Sequence, residues 1–132
     1  MGLKLKLRAN EKVYINGALL ENGDSASEIQ ILNRVPILRE KDILLEKDAD
    51  TPCKRVYFVV QTLYFKPLDE SSVIQLLSKL SIDIVKAAPS TAGHFDAIFN
   101  WVGKGKFYNA LKEVKELIKY EETLLHYAKS IE

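Results

Sequence analysis

The sequence predicts an α+β fold: a small antiparallel β-rich lobe over residues 1–40, then a four-helix lobe over residues 41–132, together forming one cooperative domain. Three observations predict it. Before residue 40, apolar and polar residues alternate with a period of two, as in half-buried strands. After residue 50, apolar residues recur at three- and four-residue spacing, as on amphipathic helices. Between Arg39 and Asp50 neither pattern holds, which places a joint there.

The first lobe reads as about four or five short strands. Leu3, Leu5 and Leu7 alternate with Lys4, Lys6 and Arg8, giving one apolar and one basic face. Val13 and Ile15 continue the alternation, with Lys12 and Tyr14 opposite them. Asn16-Gly17 is the strongest short hairpin signal, because both residues tolerate the positive φ of a type I′ turn. Ala18-Leu19-Leu20 returns antiparallel, and Asn22-Gly23-Asp24 makes a second turn. Ile29 and Ile31 mark another strand. Val35-Pro36-Ile37-Leu38 marks the last one, at an edge or bulge, because Pro36 cannot donate to a ladder.

The helices announce themselves by their caps. Thr51 can cap a first helix with Pro52 at its first position, where the missing N–H costs nothing. Val56 through Phe65 is apolar nearly all round, as a central helix would be; its β-branched and aromatic content also permits a buried strand. Helix is preferred on cap and length, with Pro67 ending it. Asp69 caps a second helix with Val73, Leu76, Leu77, Leu80 and Ile84 on one stripe. Ala87-Ala88-Pro89 breaks it, and Ser90 or Thr91 starts a third, with Phe95, Ile98, Phe99 and Val102 inward. Gly103 closes that helix. The last helix spans about Phe107 to Ala128, with Leu111, Val114, Leu117, Ile118, Leu124, Leu125 and Ala128 as its apolar stripe.

Composition narrows the function classes. The chain has 132 residues, 19 Lys+Arg, 18 Asp+Glu and a formal net charge of +1. That excludes a strongly basic, histone-like protein. Residues 1–40, 41–103 and 104–132 carry 6, 7 and 6 basic residues against 5, 8 and 5 acidic ones, counted from the sequence. No apolar run approaches the ~20 residues of a bilayer span. The alternating N-terminus has no apolar signal-peptide core, so a cytoplasmic protein is expected. Cys53, the one cysteine, sits in an apolar run and reads as a structural thiol. His94 and His126 belong to no ligand-spaced cluster. Gly103-Lys104-Gly105-Lys106 lacks the leading Gly and the trailing Ser/Thr of a phosphate loop and reads as a solvated turn. Trp101 reads as core. No catalytic residue, metal or cofactor is expected, and no enzyme.

The basic strand face is the sharper feature. If the first two strands pair as a hairpin, Lys4, Lys6, Arg8 and Lys12 share a face with Tyr14. Alternate residues of a strand stand ~6.6 Å apart, which suits cations tracking a nucleic-acid backbone with a ring to stack a base. Arg34, Arg39 and Lys41 can extend the patch. Lys on the solvent face of a sheet is also ordinary edge protection. Such a small patch on a neutral chain implies few phosphate contacts and a shallow salt dependence.

The segment Ile37-Leu38-Arg39-Glu40-Lys41-Asp42-Ile43, followed by Ala49-Asp50-Thr51-Pro52-Cys53-Lys54-Arg55-Val56-Tyr57-Phe58 and then Gln61-Thr62-Leu63-Tyr64, resembles the FlbT family of flagellar regulators. The Lys-Leu-Lys-Leu start and the Tyr14-Ile15-Asn16-Gly17-Ala18 turn are similar to it too. Cys53 stands where a small residue such as Ala is expected. The resemblance implies a post-transcriptional regulator of flagellin synthesis that associates with the 5′ untranslated region of flagellin mRNA. On that resemblance it alters the translation and lifetime of the message, usually as a repressor and sometimes as a positive factor. It also implies a small partner, FlaF, and a link to flagellin itself.

The family supplies no agreed RNA-contacting residues, so the expected interface rests on charge and strand phase alone: Lys4, Lys6, Arg8, Lys12, Tyr14, Arg34, Arg39 and Lys41. Asp50, Lys54 and Arg55 are expected at the lobe joint or a partner surface, as an ion-paired helix start. The alternative is a protein-interaction module whose helical lobe holds flagellin or FlaF in a groove, acting on the message indirectly. Open strand edges also allow a homo-oligomer.

Overall fold

A computed structural model describes residues 2–130. The chain divides between Ile43 and Leu44 into two compact units. The first holds strands β1 (Leu3–Leu7), β2 (Lys12–Ile15), β3 (Ala18–Glu21), β4 (Ser27–Ile31) and β5 (Ile37–Arg39). The second holds helices α1 (Pro52–Tyr64), α2 (Glu70–Ala87), α3 (Ala92–Gly103) and α4 (Phe107–Ser130). The α+β class and the helix preference for residues 52–64 both hold.

The β unit is built from two small sheets. In one, β1 pairs antiparallel with β4, Leu3 opposite Ile31 and Leu7 opposite Ser27. In the other, β2 lies between β3 and β5. The β2–β3 hairpin turns through Asn16 at φ 46° and Gly17 at φ 96°, the double positive φ that a type I′ turn requires. The Pro36 carbonyl accepts from Asn16 N at 2.9 Å, and β5 beyond it is an edge strand. The core forms where the two sheets face each other: Leu5, Leu7 and Val13 are buried, with Ile15, Ile29, Ile31 and Ile37 packed against them.

One expectation fails here. β1 and β2 do not form a hairpin; they belong to different sheets. The cause is the connection between them. Asn10 takes a positive φ of 60°, and its N–H donates to Gly23 O at 2.8 Å. The Asn22 side-chain amide donates to Arg8 O at 2.7 Å and to Ser25 O at 3.1 Å. The two turns are thus tied to each other, and the chain leaves β1 into a second layer instead of folding back beside it.

In the helical unit, Thr51 Oγ1 accepts from Lys54 N at 3.2 Å, capping α1 as its sequence predicts. Asp69 caps α2 by accepting from Ser72 N at 3.1 Å. α1 stops at Tyr64, short of Pro67, because Lys66 turns the chain with φ 56°. α3 starts differently from expectation: Pro89–Thr91 forms a 3-10 turn, and the Thr91 hydroxyl donates to Ala88 O at 2.7 Å instead of capping. α1 packs against α2 and α4, and α3 packs against α4. Val56, Val60, Leu77, Ile98, Val114 and Leu117 are wholly buried. The stripes on α2 and α4 are not buried throughout: Leu76, Leu125 and Ala128 are exposed. At the start of the unit, buried Gln61 holds the Leu44 backbone at both its N–H (2.8 Å) and its carbonyl (2.9 Å).

Candidate nucleic-acid interface

On β1 the alternation works as expected. Leu5 and Leu7 point into the core, while Lys4 and Lys6 are exposed. They stand opposite Gln30 and Glu28 of β4, and neither makes an ion pair among the described residues. Arg8 follows, 83% exposed, with its Nε 3.8 Å from Glu11 Oε1. Arg34 is exposed and lines a shallow pocket with Leu3 and Ile31, at the other end of the strand. Lys41 is exposed in the 3-10 turn Glu40–Asp42.

The rest of the expected face is not assembled. Lys12 lies on another sheet, with Nζ 3.3 Å from Glu21 Oε1 on the neighbouring strand. Tyr14 is only 7% exposed, so its ring offers no open face to a base. The physical reason is that β2 is a central strand covered on both sides: Val13 and Tyr14, which point opposite ways, are both buried. Period-two alternation implies a solvated face only where the other layer is absent.

Arg39 has a structural task. Its guanidinium donates to Glu11 Oε2 at 3.2 Å and to the Lys6 carbonyl, so β5 of one sheet is tied to β1 of the other. Glu11 is itself buried and accepts from Arg8 N at 2.9 Å. The Arg8 amide, followed by the Arg39 guanidinium, holds its carboxyl below the ordinary carboxylate range against the opposing effect of burial.

The helical unit has a counterpart. Glu121 of α4 is buried and accepts from Cys53 N at 3.0 Å and from the Thr51 hydroxyl, tying α4 to the start of α1. Cys53 is buried beside it. Burial first, then the Glu121 charge, push its thiol up to about 12, so it stays protonated and is no nucleophile at neutral pH. Asp50 and Lys54 pair across one turn at 3.3 Å on the surface. Arg55 is exposed at the mouth of an apolar cleft of about 380 Å³, lined by Leu80, Ile84, Leu124 and Leu125 among others.

A second pocket of about 380 Å³ lies at the other end of α1, where Tyr64 and Lys66 meet Gly105, Lys106, Phe107, Tyr108 and Asn109. Lys66 and Lys106 are exposed, and no carboxylate lines the pocket. The Tyr64 and Tyr108 rings stand 6.0 Å apart and tilted, and Lys112 Nζ lies 5.0 Å over the Tyr108 ring. Sequence reading missed this cluster. Its two halves are some forty residues apart, and the Gly-Lys-Gly-Lys segment alone reads as a turn. The available signal was local: neither 58–68 nor 101–112 contains an acidic residue.

Among the described residues, no group of three His, Cys, Asp or Glu could hold a metal ion. Among the same described residues, no helix is long and apolar enough to cross a membrane.

Comparison with known proteins supplies the remaining context. The family described as "Flagellar protein FlbT" matches residues 3–125. A "Probable flagellum biosynthesis repressor protein FlbT 1" of Bradyrhizobium diazoefficiens is 39% identical over 125 residues, covering 94% of this chain and 85% of that protein. A "Probable flagellum biosynthesis repressor protein FlbT" of Rhodopseudomonas palustris is 36% identical, covering 95% and 98%. The "Flagellum biosynthesis repressor protein FlbT" of Caulobacter vibrioides is 32% identical, covering 98% and 94%. No solved structure matches.

Proposed function

This chain belongs to the FlbT family of flagellar proteins, and we propose that it is a cytoplasmic repressor of flagellum biosynthesis that binds the 5′ leader of flagellin mRNA. Occupying the leader lowers translation and exposes the message to decay. The observation that carries the RNA contact is the outward face of β1, where Lys4 and Lys6 stand exposed and Arg8 follows at the end of the strand. Three cations at strand spacing match the phosphates of an extended single strand. With Lys12 held by Glu21 and Arg39 held by Glu11, the contact is small. Three phosphate contacts on single-stranded RNA give a slope of about −2 in log K against log salt.

The test is a mobility shift of a flagellin leader by purified protein, in excess unrelated RNA. Lys4→Ala, Lys6→Ala and Arg8→Ala together weaken binding about tenfold or more and flatten the salt slope. A folded triple variant that binds as tightly as the parent removes this face from the interface.

The apolar cleft on the helical unit favours a second reading. Leu125, 51% exposed, stands at a cleft walled by Leu80, Ile84 and Leu124. An amphipathic helix of flagellin or FlaF fits such a groove. Capture of either protein without any shift of the leader would favour this reading over direct RNA contact.

A further inference from the structure

We propose that the pocket between the end of α1 and the start of α4 takes one unstacked base and its phosphate from single-stranded RNA. This rests on the RNA-binding reading above but places a contact in the helical unit.

Two ingredients make a single-strand site: cations spaced along the backbone and aromatic rings that stack bases. The pocket has both. Lys66 and Lys106 line it, and Lys112 stands beside it over the Tyr108 ring. Tyr108 is 43% exposed, a large ring left open to solvent at the pocket rim. Neighbouring Lys104 lies 5.5 Å over Trp101.

The charge balance of the pocket is one-sided. In the β unit Arg8, Lys12 and Arg39 have carboxylates within 4 Å, and among the described residues only Lys4 and Lys6 of the strand face are without one. The two chain segments forming the pocket, 58–68 and 101–112, carry four lysines and no acidic residue. Repulsion among those cations is relieved when a phosphate enters. Lys112 rests on Tyr108 in a cation–π contact, the weaker of the two interactions the ring can make. A base stacking there displaces the ammonium toward the adjoining phosphate. Inorganic phosphate alone accounts for the lysines but leaves the open Tyr108 ring unused. An apolar peptide accounts for the rings but leaves the cations without one.

The chain turns at the pocket mouth on two left-handed residues, Lys66 at φ 56° and Gly105 at φ 71°. These turns bring the Lys66 and Lys106 side chains to the same opening from segments forty residues apart.

The experiment uses the full chain and two probes, a short oligouridylate and a flagellin leader. Binding is read by fluorescence anisotropy, and amide shifts are followed by NMR. Lys66→Ala with Lys106→Ala flattens the salt slope by about 1.4, the value for two single-strand phosphate contacts. Tyr108→Ala weakens binding between about fivefold and a hundredfold, the range for one lost stacking contact, and Tyr108→Phe retains it. Oligouridylate shifts the amides of residues 64–66 and 105–109. Leader binding that survives both pocket variants, with those amides unmoved, overturns the pocket and leaves the function standing. Pocket amides that move while the leader is not bound overturn the leader-binding function and leave the pocket standing.

Discussion

Glu11 and Glu121 are buried carboxylates in the two separate units, and each is satisfied in a different way. Glu11 accepts from a backbone amide and a guanidinium, Arg8 N and Arg39, in a unit whose own apolar core is small. Glu121 accepts from a hydroxyl and a helix-start amide, Thr51 and Cys53, in a unit with an extensive apolar core. The contrast shows what the recognisable segments do. Arg39 sits in the Leu-Arg-Glu-Lys-Asp run, and Thr51 and Cys53 in the Asp-Thr-Pro-Cys run. Both runs carry the family resemblance, and in each one side chain, Arg39 or Thr51, holds a buried acid from far along the chain, with the Cys53 backbone N–H adding to the second. Their first task is architectural.

The comparison breaks most clearly at Glu121. Glu121→Ala leaves the Cys53 N–H and the Thr51 hydroxyl without their acceptor in a buried place. The expected loss is about 2–4 kcal/mol, since each orphaned buried group costs on the order of 1–3 kcal/mol. Urea unfolding and amide exchange at residues 51–56 check it. A loss no larger than that of an exposed substitution would show that the clasp contributes nothing.

A smaller effect is expected at Arg39. Arg39→Ala removes a guanidinium from Glu11 and from the Lys6 carbonyl, so protection falls in β1 and β5 while the helices keep theirs. The same site carries a pH signature. The Glu11 carboxyl lies below its ordinary 4.5 in the folded unit. Its contribution is therefore complete above 4.5 and is lost as pH falls through the lowered value. Arg39→Ala raises that acid transition, though only in part, because the Arg8 amide is the larger cause. Glu11→Gln abolishes it. Resonances of the β unit followed through an acid titration decide the matter, and a transition unaltered by either substitution contradicts the arrangement.

Least is expected at Lys54. Its pairing with Asp50 is a surface contact across one helical turn, so Lys54→Ala costs below about 0.5 kcal/mol in thermal melts. A loss as large as that of Glu121→Ala would mean the surface pair, and not the buried acid, anchors the start of α1.

The legible parts of the fold were those written in neighbouring residues. Thr51-Pro52 marked a helix start, Asn16-Gly17 a hairpin, and Leu5 and Leu7 an inward strand face, because each depends on contacts within a few positions. The partner of β1 was not legible, since the choice between β2 and β4 is made by Asn22 holding a turn fourteen residues back. Tyr14 misled for a related reason: its phase was correct, but phase does not reveal whether a second layer covers that side. Of the candidate interface, Lys4, Lys6 and Arg8 remain exposed as read. Tyr64, Lys66, Lys106 and Tyr108 come together only through the three-dimensional course of α1 and α4.

The pairing of β1 with β4 also sets an order of events. Ile15 and Ala18 are three positions apart and can meet as soon as the hairpin turn forms. Leu7 and Ser27, the nearest partners in β1 and β4, are twenty positions apart, so their meeting carries a larger loop-closure entropy. During synthesis β2 therefore pairs with β3 almost at once and β5 finds β2 already made, whereas the first strand made waits longest for a neighbour. Until Ser27–Ile31 exists, its alternating leucines have no partner strand, and the lysines between them are the charges that keep a nascent edge from pairing with another chain. The lysines to which an RNA contact is proposed above thus have, earlier in the life of the chain, the separate task of guarding an unpaired edge against aggregation.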